Sequence, residues 1–133
     1  MEQLSIWFRI LLVGVAGGIG AICRYFVMLP FHGYSTAYPG AGTLIVNSLA
    51  CFIIGIVAGW AVVAPWSTVN KEIFVLLTMT GFYGGFSTFS AFTLDCVKYI
   101  ESGHFLVWVV FGTLTVFIGL FGCALGYWIG HKL

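Results

Sequence analysis

Residues 73–94 read IFVLLTMTGFYGGFSTFSAFTL, and this stretch decides the fold because it contains no charged residue. Its 22 residues exceed the roughly 20 that a helix needs to cross the hydrocarbon core of a bilayer. It nevertheless carries six serines and threonines around Gly84. A break there would expose backbone carbonyls at the midplane, which is tolerated only where they are buried in protein or bind an ion. We therefore predict a third membrane helix broken at its centre; the alternative is a continuous helix whose hydroxyls bond back to its own carbonyls.

Three other apolar stretches are long enough to cross a membrane. Two of them are uncharged, whereas the first is bracketed by Arg9 and Arg24 and spans a bilayer only with its apolar flanks. The chain is therefore predicted to be a single all-α integral membrane domain. It covers residues 1–133, with spans at about 6–29, 43–64, 73–100 and 105–130.

The composition excludes most soluble functions. Of the 133 residues, 61% are hydrophobic and 7% are charged, against roughly 25% charged in a soluble domain. A net charge of +1 provides no basic surface for nucleic acid. No paired carboxylates lie within a span and no histidine lies beside a serine or cysteine, so an enzyme is not expected. The four cysteines, Cys23, Cys51, Cys96 and Cys123, form no Cys-x-x-Cys motif and are interpreted as packing residues.

The balance of cations bears on orientation in the membrane. With both termini on one face, Arg9, Lys71 and Lys132 lie on that face, and Arg24 and Lys98 lie on the other. A bias of three to two gives the positive-inside rule little to act on, so insertion in both orientations and an antiparallel homodimer are a hypothesis. The two-fold axis would lie in the membrane plane, and carbonyls of the two broken helices could then hold one Na⁺-sized cation.

A few residues interrupt the apolar pattern and are candidates for an ion path. Phe89 and Phe92 share a helix face, which usually means packing, but the positive edge of an aromatic ring also suits a small anion. Asn47 is the only amide within the uncharged spans and either bonds a neighbouring helix or contacts a substrate. Arg24 either snorkels to the interface or faces a watery cavity.

Glycines at four-residue spacing predict close packing between the helices. They occur as Gly14 with Gly18, Gly55 with Gly59, Gly81 with Gly85, and Gly122 with Gly126 and Gly130. Small residues at this spacing allow helix backbones to approach each other closely. The expected result is a compact bundle that has no room for a large substrate.

Three of these stretches together resemble a known family. They are residues 17–25 (GGIGAICRY), 42–47 (GTLIVN) and 81–92 (GFYGGFSTFSAF). In these motifs and over most of its length, the chain is similar to the Fluc/CrcB fluoride channels. The resemblance implies a small four-helix protein that forms a dual-topology antiparallel dimer with two pores, exports fluoride passively and holds a central structural Na⁺.

The resemblance also implies roles for individual residues of the third span. The backbone carbonyls of Gly84 and Ser87 would bind the sodium ion. Phe89 and Phe92 would line the fluoride path. Ser87 stands where a threonine is common, a change that leaves a backbone ligand intact.

Further polar residues complete the implied fluoride path. Asn47 would donate a hydrogen bond at the pore, and Arg24 would lie in an aqueous vestibule. Ala91 replaces the hydroxyl residue that is usual between the two phenylalanines. Ser90 and Thr115 therefore remain as the hydroxyl candidates for the polar track.

Two other classes of membrane protein compete with this interpretation. A small four-helix multidrug antiporter would need a carboxylate inside the membrane. Asp95 is the only acid near a span, and it is expected to form an interfacial ion pair with Lys98. A non-transporting assembly subunit would explain the glycine pairs but not the hydroxyl-rich break.

A passive anion exit suits the plasma membrane of a bacterial or other cell with a negative interior.

Overall fold

A computed structural model describes residues 4–34 and 40–133, and the chain is helical through most of these two ranges. The elements in chain order are α1 (Ile6–Met28), a 3₁₀ helix (Leu29–Tyr34), α2 (Ala41–Val63), α3 (Thr68–Val75), a π-helical segment (Leu76–Tyr83), α4 (Gly84–Phe86), α5 (Phe89–Glu101) and α6 (Phe105–Gly130). Residues 30–42, which connect the first two predicted spans, are helical as far as Tyr34, and residues 35–39 lie outside the described ranges.

Within the described residues, four helical spans are long and apolar enough to cross a membrane, as the sequence predicts. They cover Ile6–Phe31, Ala41–Val63, Thr68–Glu101 and Phe105–Gly130. The second and third begin earlier than the uncharged stretches do, because a helix starts at its cap rather than at its first apolar residue. Gly40 enters α2 with a left-handed φ of 87°, and the Ser67 hydroxyl accepts a hydrogen bond from the Asn70 amide at 3.2 Å.

The backbone geometry changes four times along the third span, from α to π, back to α, to extended and again to α. Its π-helical segment leads into the single turn of α4, and Gly84 at the start of that turn has helical dihedrals of −62° and −37°. Ser87 (φ −76°, ψ 158°) and Thr88 (φ −150°, ψ 112°) are extended. Helix α5 then begins at Phe89, with the Thr88 hydroxyl accepting from the Ala91 amide at 3.2 Å. The non-helical backbone therefore lies three residues after Gly84.

Glycines hold α2 against α6, as their spacing predicts. A methyl group on Gly55 or Gly59 would overlap a carbonyl oxygen of α6, and one on Gly126 or Gly130 would overlap a carbonyl oxygen of α2. Successive contacts advance along both helices in the same direction, so α2 and α6 run parallel. Of the element pairs in the described part of the chain, this parallel pair has the most extensive contact.

Helix α1 packs in the same way against the third span, which contributes the predicted pair Gly81 and Gly85, whereas the glycines of α1 that make the contact are not the predicted ones. Gly20 lies against the carbonyl of Phe82, and Gly85 lies against the carbonyl of Gly17. A methyl group on Gly14 or Gly18, the predicted pair, would meet nothing within 4 Å. Each residue turns about 100° around a helix of 3.6 residues per turn. The two glycine sets therefore lie on different faces of α1, and only one set faces the third span.

An ion pair between Arg9 of α1 and Glu72 of α3 joins the first span to the third. The Arg9 guanidinium contacts the Glu72 carboxylate at 2.9 Å, with each side chain about one-third exposed. The pair places the start of α1 beside the start of the third span. An arginine next to an apolar run is thus partly neutralised in the folded chain.

We predict that Gly126→Ala destabilises the protein by about 1–3 kcal/mol, because its methyl group would overlap the Phe52 carbonyl and overpack the contact between α2 and α6. Reversible unfolding in detergent micelles measures the loss. Gly112→Ala is the matched control in the same helix, since a methyl group there meets nothing within 4 Å. Equal stability of the two variants would contradict the packing.

Candidate functional site

A groove of about 440 Å³ opens beside the interruption in the third span. Its polar lining comes from Asn47, Ser87, Thr88 and Thr115. Its apolar lining includes the rings of Phe89 and Phe92. The groove therefore brings together residues of α2, α5 and α6 that the sequence singled out one span at a time.

The side chain of Asn47 pairs with the peptide groups of Thr88. Its Nδ2 donates to the Thr88 carbonyl at 3.0 Å, and its Oδ1 accepts from the Thr88 amide at 2.8 Å. In a continuous α-helix that amide would donate to the carbonyl of Gly84. The Gly84 carbonyl thus loses its usual helical donor. Of the two roles considered for Asn47, bonding a neighbouring helix is present in this geometry, and one Nδ2 hydrogen remains beyond the bond to Thr88.

Arg24 reaches the same interruption from α1. Its Nη1 lies 3.3 Å from the Ser87 carbonyl and donates a partly buried hydrogen bond to it. The guanidinium does not belong to the groove lining. Its positive charge is therefore held at the extended residues, outside the lining of the groove.

The two phenylalanines lie at the start of α5. Their ring centroids are 5.7 Å apart at 45°, and Phe92 lies a further 5.7 Å from the ring of Phe111. Phe89 is 76% exposed in the protomer and Phe92 is half-buried. Because Phe92 is packed between two rings, its orientation is constrained while Phe89 borders the open side of the groove.

The hydroxyl candidates differ in position. Thr115 lines the groove and is buried, and its hydroxyl donates to the Phe111 carbonyl at 2.8 Å. Ser90 is exposed, lies outside the groove lining, and has its Oγ 3.2 Å from Thr88 Oγ1. Other hydroxyls of the third span bond back to their own helix, as Ser87 Oγ does to the Tyr83 carbonyl at 2.9 Å. Back-bonding hydroxyls and extended backbone thus occur in the same span.

A buried carboxylate, which the sequence analysis placed at the interface, lies close to this site. Asp95 is 7% exposed and accepts a hydrogen bond from Thr43 Oγ1 at 2.7 Å. The expected pair with Lys98 is present at 3.3 Å. Thr43 is the third residue of α2, where a negative charge interacts favourably with the helix dipole. The sequence analysis did not identify Thr43 as a partner of Asp95, because the two residues are 52 positions apart and no local pattern links them.

The carbonyls near the interruption have the chemistry of a sodium site. No cluster of three or more His, Cys, Asp or Glu residues occurs within residues 4–34 and 40–133. Oxygen is nevertheless the ligand that hard cations prefer, and unwound carbonyls coordinate Na⁺ in membrane proteins. Gly84 has a carbonyl released from its helical donor, and the Ser87 carbonyl keeps one lone pair beside its bond to Arg24.

Fold and groove together define a class: small membrane proteins with four helical spans and a polar, ring-lined groove at a helix interruption. Comparison with known proteins is more specific. The family profile described as CrcB-like protein, Camphor Resistance (CrcB), matches residues 11–127. The chain therefore belongs to the CrcB-like protein family.

Several relatives share most of their length with this chain. A fluoride-specific ion channel FluC from Hydrogenobaculum sp. is 34% identical over 123 residues, covering 92% of this chain and 98% of that protein. One from Azobacteroides pseudotrichonymphae is 34% identical over 119 residues, with coverages of 90% and 93%. One from Rhizobium etli is 44% identical over 95 residues, with coverages of 71% and 73%.

We predict that Thr43→Val destabilises the protein by about 1–3 kcal/mol, because it removes a hydrogen bond from the buried Asp95 carboxylate. The shape of the side chain is nearly unchanged. Thr113→Val on the exposed side of α6 makes the same chemical change and is the control. Thermal unfolding in detergent compares the two variants, and equal midpoints would show that the Thr43 hydroxyl contributes nothing.

Proposed function

We propose that this protein is a passive, fluoride-specific ion channel of the plasma membrane. The single observation that carries the proposal is the groove in which Asn47, Phe89 and Phe92 meet at the interruption of the third span. Membership of the CrcB-like family and the fluoride-channel names of its relatives support the choice of ion. The membrane potential, negative inside, drives the anion out of the cell without coupling to protons or nucleotide hydrolysis.

The lining of the groove suits a small, strongly hydrated anion. A pore has to replace the water around fluoride with closely spaced donors. The second Nδ2 hydrogen of Asn47 supplies one donor, and the Thr115 hydroxyl supplies another when it rotates away from the Phe111 carbonyl. The ring edges of Phe89 and Phe92 add weak positive density where a full charge would be costly.

Arg24 contributes at a distance from the path. Its guanidinium is fixed by the Ser87 carbonyl and lies outside the groove lining. A charge held back from the path raises the local anion concentration without trapping the ion in a tight pair. Ser90, exposed beside Thr88, is proposed to lie on the path outside the groove itself.

The assembly that we propose is an antiparallel homodimer with two pores and one structural Na⁺. The nearly even distribution of cations supports insertion in both orientations. Carbonyls of Gly84 and Ser87 from both protomers would hold the sodium ion near the two-fold axis, where its charge would join the broken helices of the two chains. Because Arg24 already donates to the Ser87 carbonyl, the ion would share that oxygen with it.

The multidrug antiporter alternative is disfavoured, because it needs a carboxylate that is free to exchange protons for substrate. Asp95 is buried as such a mechanism needs, but it is engaged by Thr43 and Lys98. The relatives are named as fluoride-specific channels. The assembly-subunit alternative is decided by the flux measurement below.

We predict rapid fluoride efflux from liposomes that contain only this protein, with voltage set by a K⁺ gradient and ionophore and with chloride retained. Phe89→Ile abolishes the efflux because it removes a ring from the groove. Phe121→Ile is the matched control, since Phe121 is as exposed in the protomer (77% against 76%) and lies outside the groove lining. No fluoride efflux from a folded wild-type protein would overturn the proposed function.

We also predict that Asn47→Asp lowers fluoride flux by at least about a hundredfold, because a carboxylate beside the path adds a barrier on the order of 3 kcal/mol or more for an anion. Fluoride-electrode recordings of efflux measure the change. Asn70→Asp introduces the same charge on the exposed start of α3 and leaves flux unchanged. Wild-type flux in Asn47→Asp would remove this side chain from the path.

A further inference from the structure

The groove contains two cysteines whose presence the fluoride path does not explain. Cys51 on α2 and Cys123 on α6 both line it, and both thiols are free and half-buried. The other two cysteines lie elsewhere. Cys23 packs against the buried core formed by Val46, Ala50 and Phe86, and Cys96 lines a separate groove beside Trp108.

The register of α2 and α6 brings these two thiols together. Cys51 Sγ lies 3.3 Å from the position that a Cβ on Gly119 would occupy, and Gly119 is one turn before Cys123. One turn after Cys51, Gly55 lies against the carbonyl of Cys123. The two helices are parallel and touch through glycines, so little bulk separates the thiols.

We propose that Cys51 and Cys123 form a binding site for a soft, divalent, thiophilic metal ion inside the groove. The site would hold the metal as a two-coordinate bis-thiolate that bridges α2 and α6. The predicted effect on transport rests on the proposed channel function, whereas metal binding itself does not.

The number and type of ligands select this chemical class. Structural zinc sites take four ligands, and no third His, Cys, Asp or Glu joins the pair among the described residues. Soft thiolates prefer soft metals, and a linear ion such as Hg²⁺ is satisfied by two of them. A monovalent metal with two thiolates would leave a negative charge in a low-dielectric region, whereas a divalent metal gives a neutral product.

The reaction balances without any redox partner. Two S–H bonds break, two S–Hg bonds form, and two protons pass to the buffer. Both sulfurs keep their oxidation state. Because the groove is part of the proposed ion path, reagents that enter with water and anions have a route to the thiols.

A metal at this position would obstruct the ion path. Asn47 and Thr115 line the same groove as the two thiols. Asn47 lies one turn before Cys51, and Thr115 lies one turn before Gly119. A heavy atom fixed between α2 and α6 would narrow the groove and hold the helix pair rigid. The site would therefore inhibit the proposed channel when metal is bound.

The experiment uses the full chain in liposomes with Hg²⁺ as the probe and reads two signals. One is fluoride efflux as a function of Hg²⁺ concentration. The other is the mass of the purified, denatured protomer after excess metal has been removed with a monothiol, which reports retained Hg without any need for flux. The variants are Cys51→Ser, Cys123→Ser and the double variant Cys23→Ser/Cys96→Ser; the alanine forms replace any serine form that fails to fold.

The proposal expects one retained Hg per protomer and blocked efflux in the wild type and in Cys23→Ser/Cys96→Ser. Either single change in the pair raises the blocking concentration by about 100-fold, because the second thiol no longer acts at high effective concentration, and retained Hg is lost. A dithiol restores efflux. Unchanged sensitivity in Cys51→Ser or Cys123→Ser overturns the proposal, as does Hg that links two protomers covalently. Retained Hg with no basal efflux in untreated protein supports the site and refutes the channel function instead.

Discussion

The pairing of the Asn47 side chain with the peptide groups of Thr88 is the interaction on which the site depends. Extended backbone inside a membrane leaves an amide and a carbonyl that water cannot satisfy, and each unsatisfied group costs several kcal/mol. An amide side chain is suited to this position because it donates and accepts at once. With Thr88 fixed, its hydroxyl caps α5, and Phe89 and Phe92 follow at fixed rotations about that helix. One side chain of α2 thus sets the position of both rings.

Neutral side chains line the groove, whereas the charged groups of Arg24 and Asp95 are absent from its lining. Arg24 is bonded to the Ser87 carbonyl, and Asp95 is paired with Thr43 and Lys98. Neutral donors bind an anion weakly enough for it to leave again, which conduction requires. In the proposed channel, charges outside the groove would shape the electrostatic potential without forming a stable ion pair with fluoride. This separation of neutral and charged groups is consistent with membership of the CrcB-like family.

Much of the fold could be predicted from the sequence, because the missing charges mark four spans directly. Asn47, Phe89 and Phe92 could be singled out as well, since each departs from an apolar pattern. The position of the extended residues could not. Glycine content draws attention to Gly84, but hydrogen bonding to Asn47 decides where the helix ends, and that partner lies 41 positions away.

Other features escape the sequence for related reasons. Spacing alone does not show which face of α1 meets the third span, so it predicts Gly14 and Gly18, whereas Gly17 and Gly20 make the close contacts. The bond between Thr43 and Asp95 joins the second span to the third. Geometry that arises between distant segments becomes visible only when the helices are packed.

The glycine contacts in which one helix backbone meets another join the first span to the third and the second to the fourth. Hairpins of consecutive helices, the usual early units of a membrane bundle, would therefore lack the closest contacts of the finished protein. Contacts between residues far apart in the sequence form slowly, because the entropy of closing the long loop is lost before the contact stabilises the chain. The first and third spans can pair before the last span is present, but until α6 is in place the second span presents Gly55 and Gly59 to the lipid.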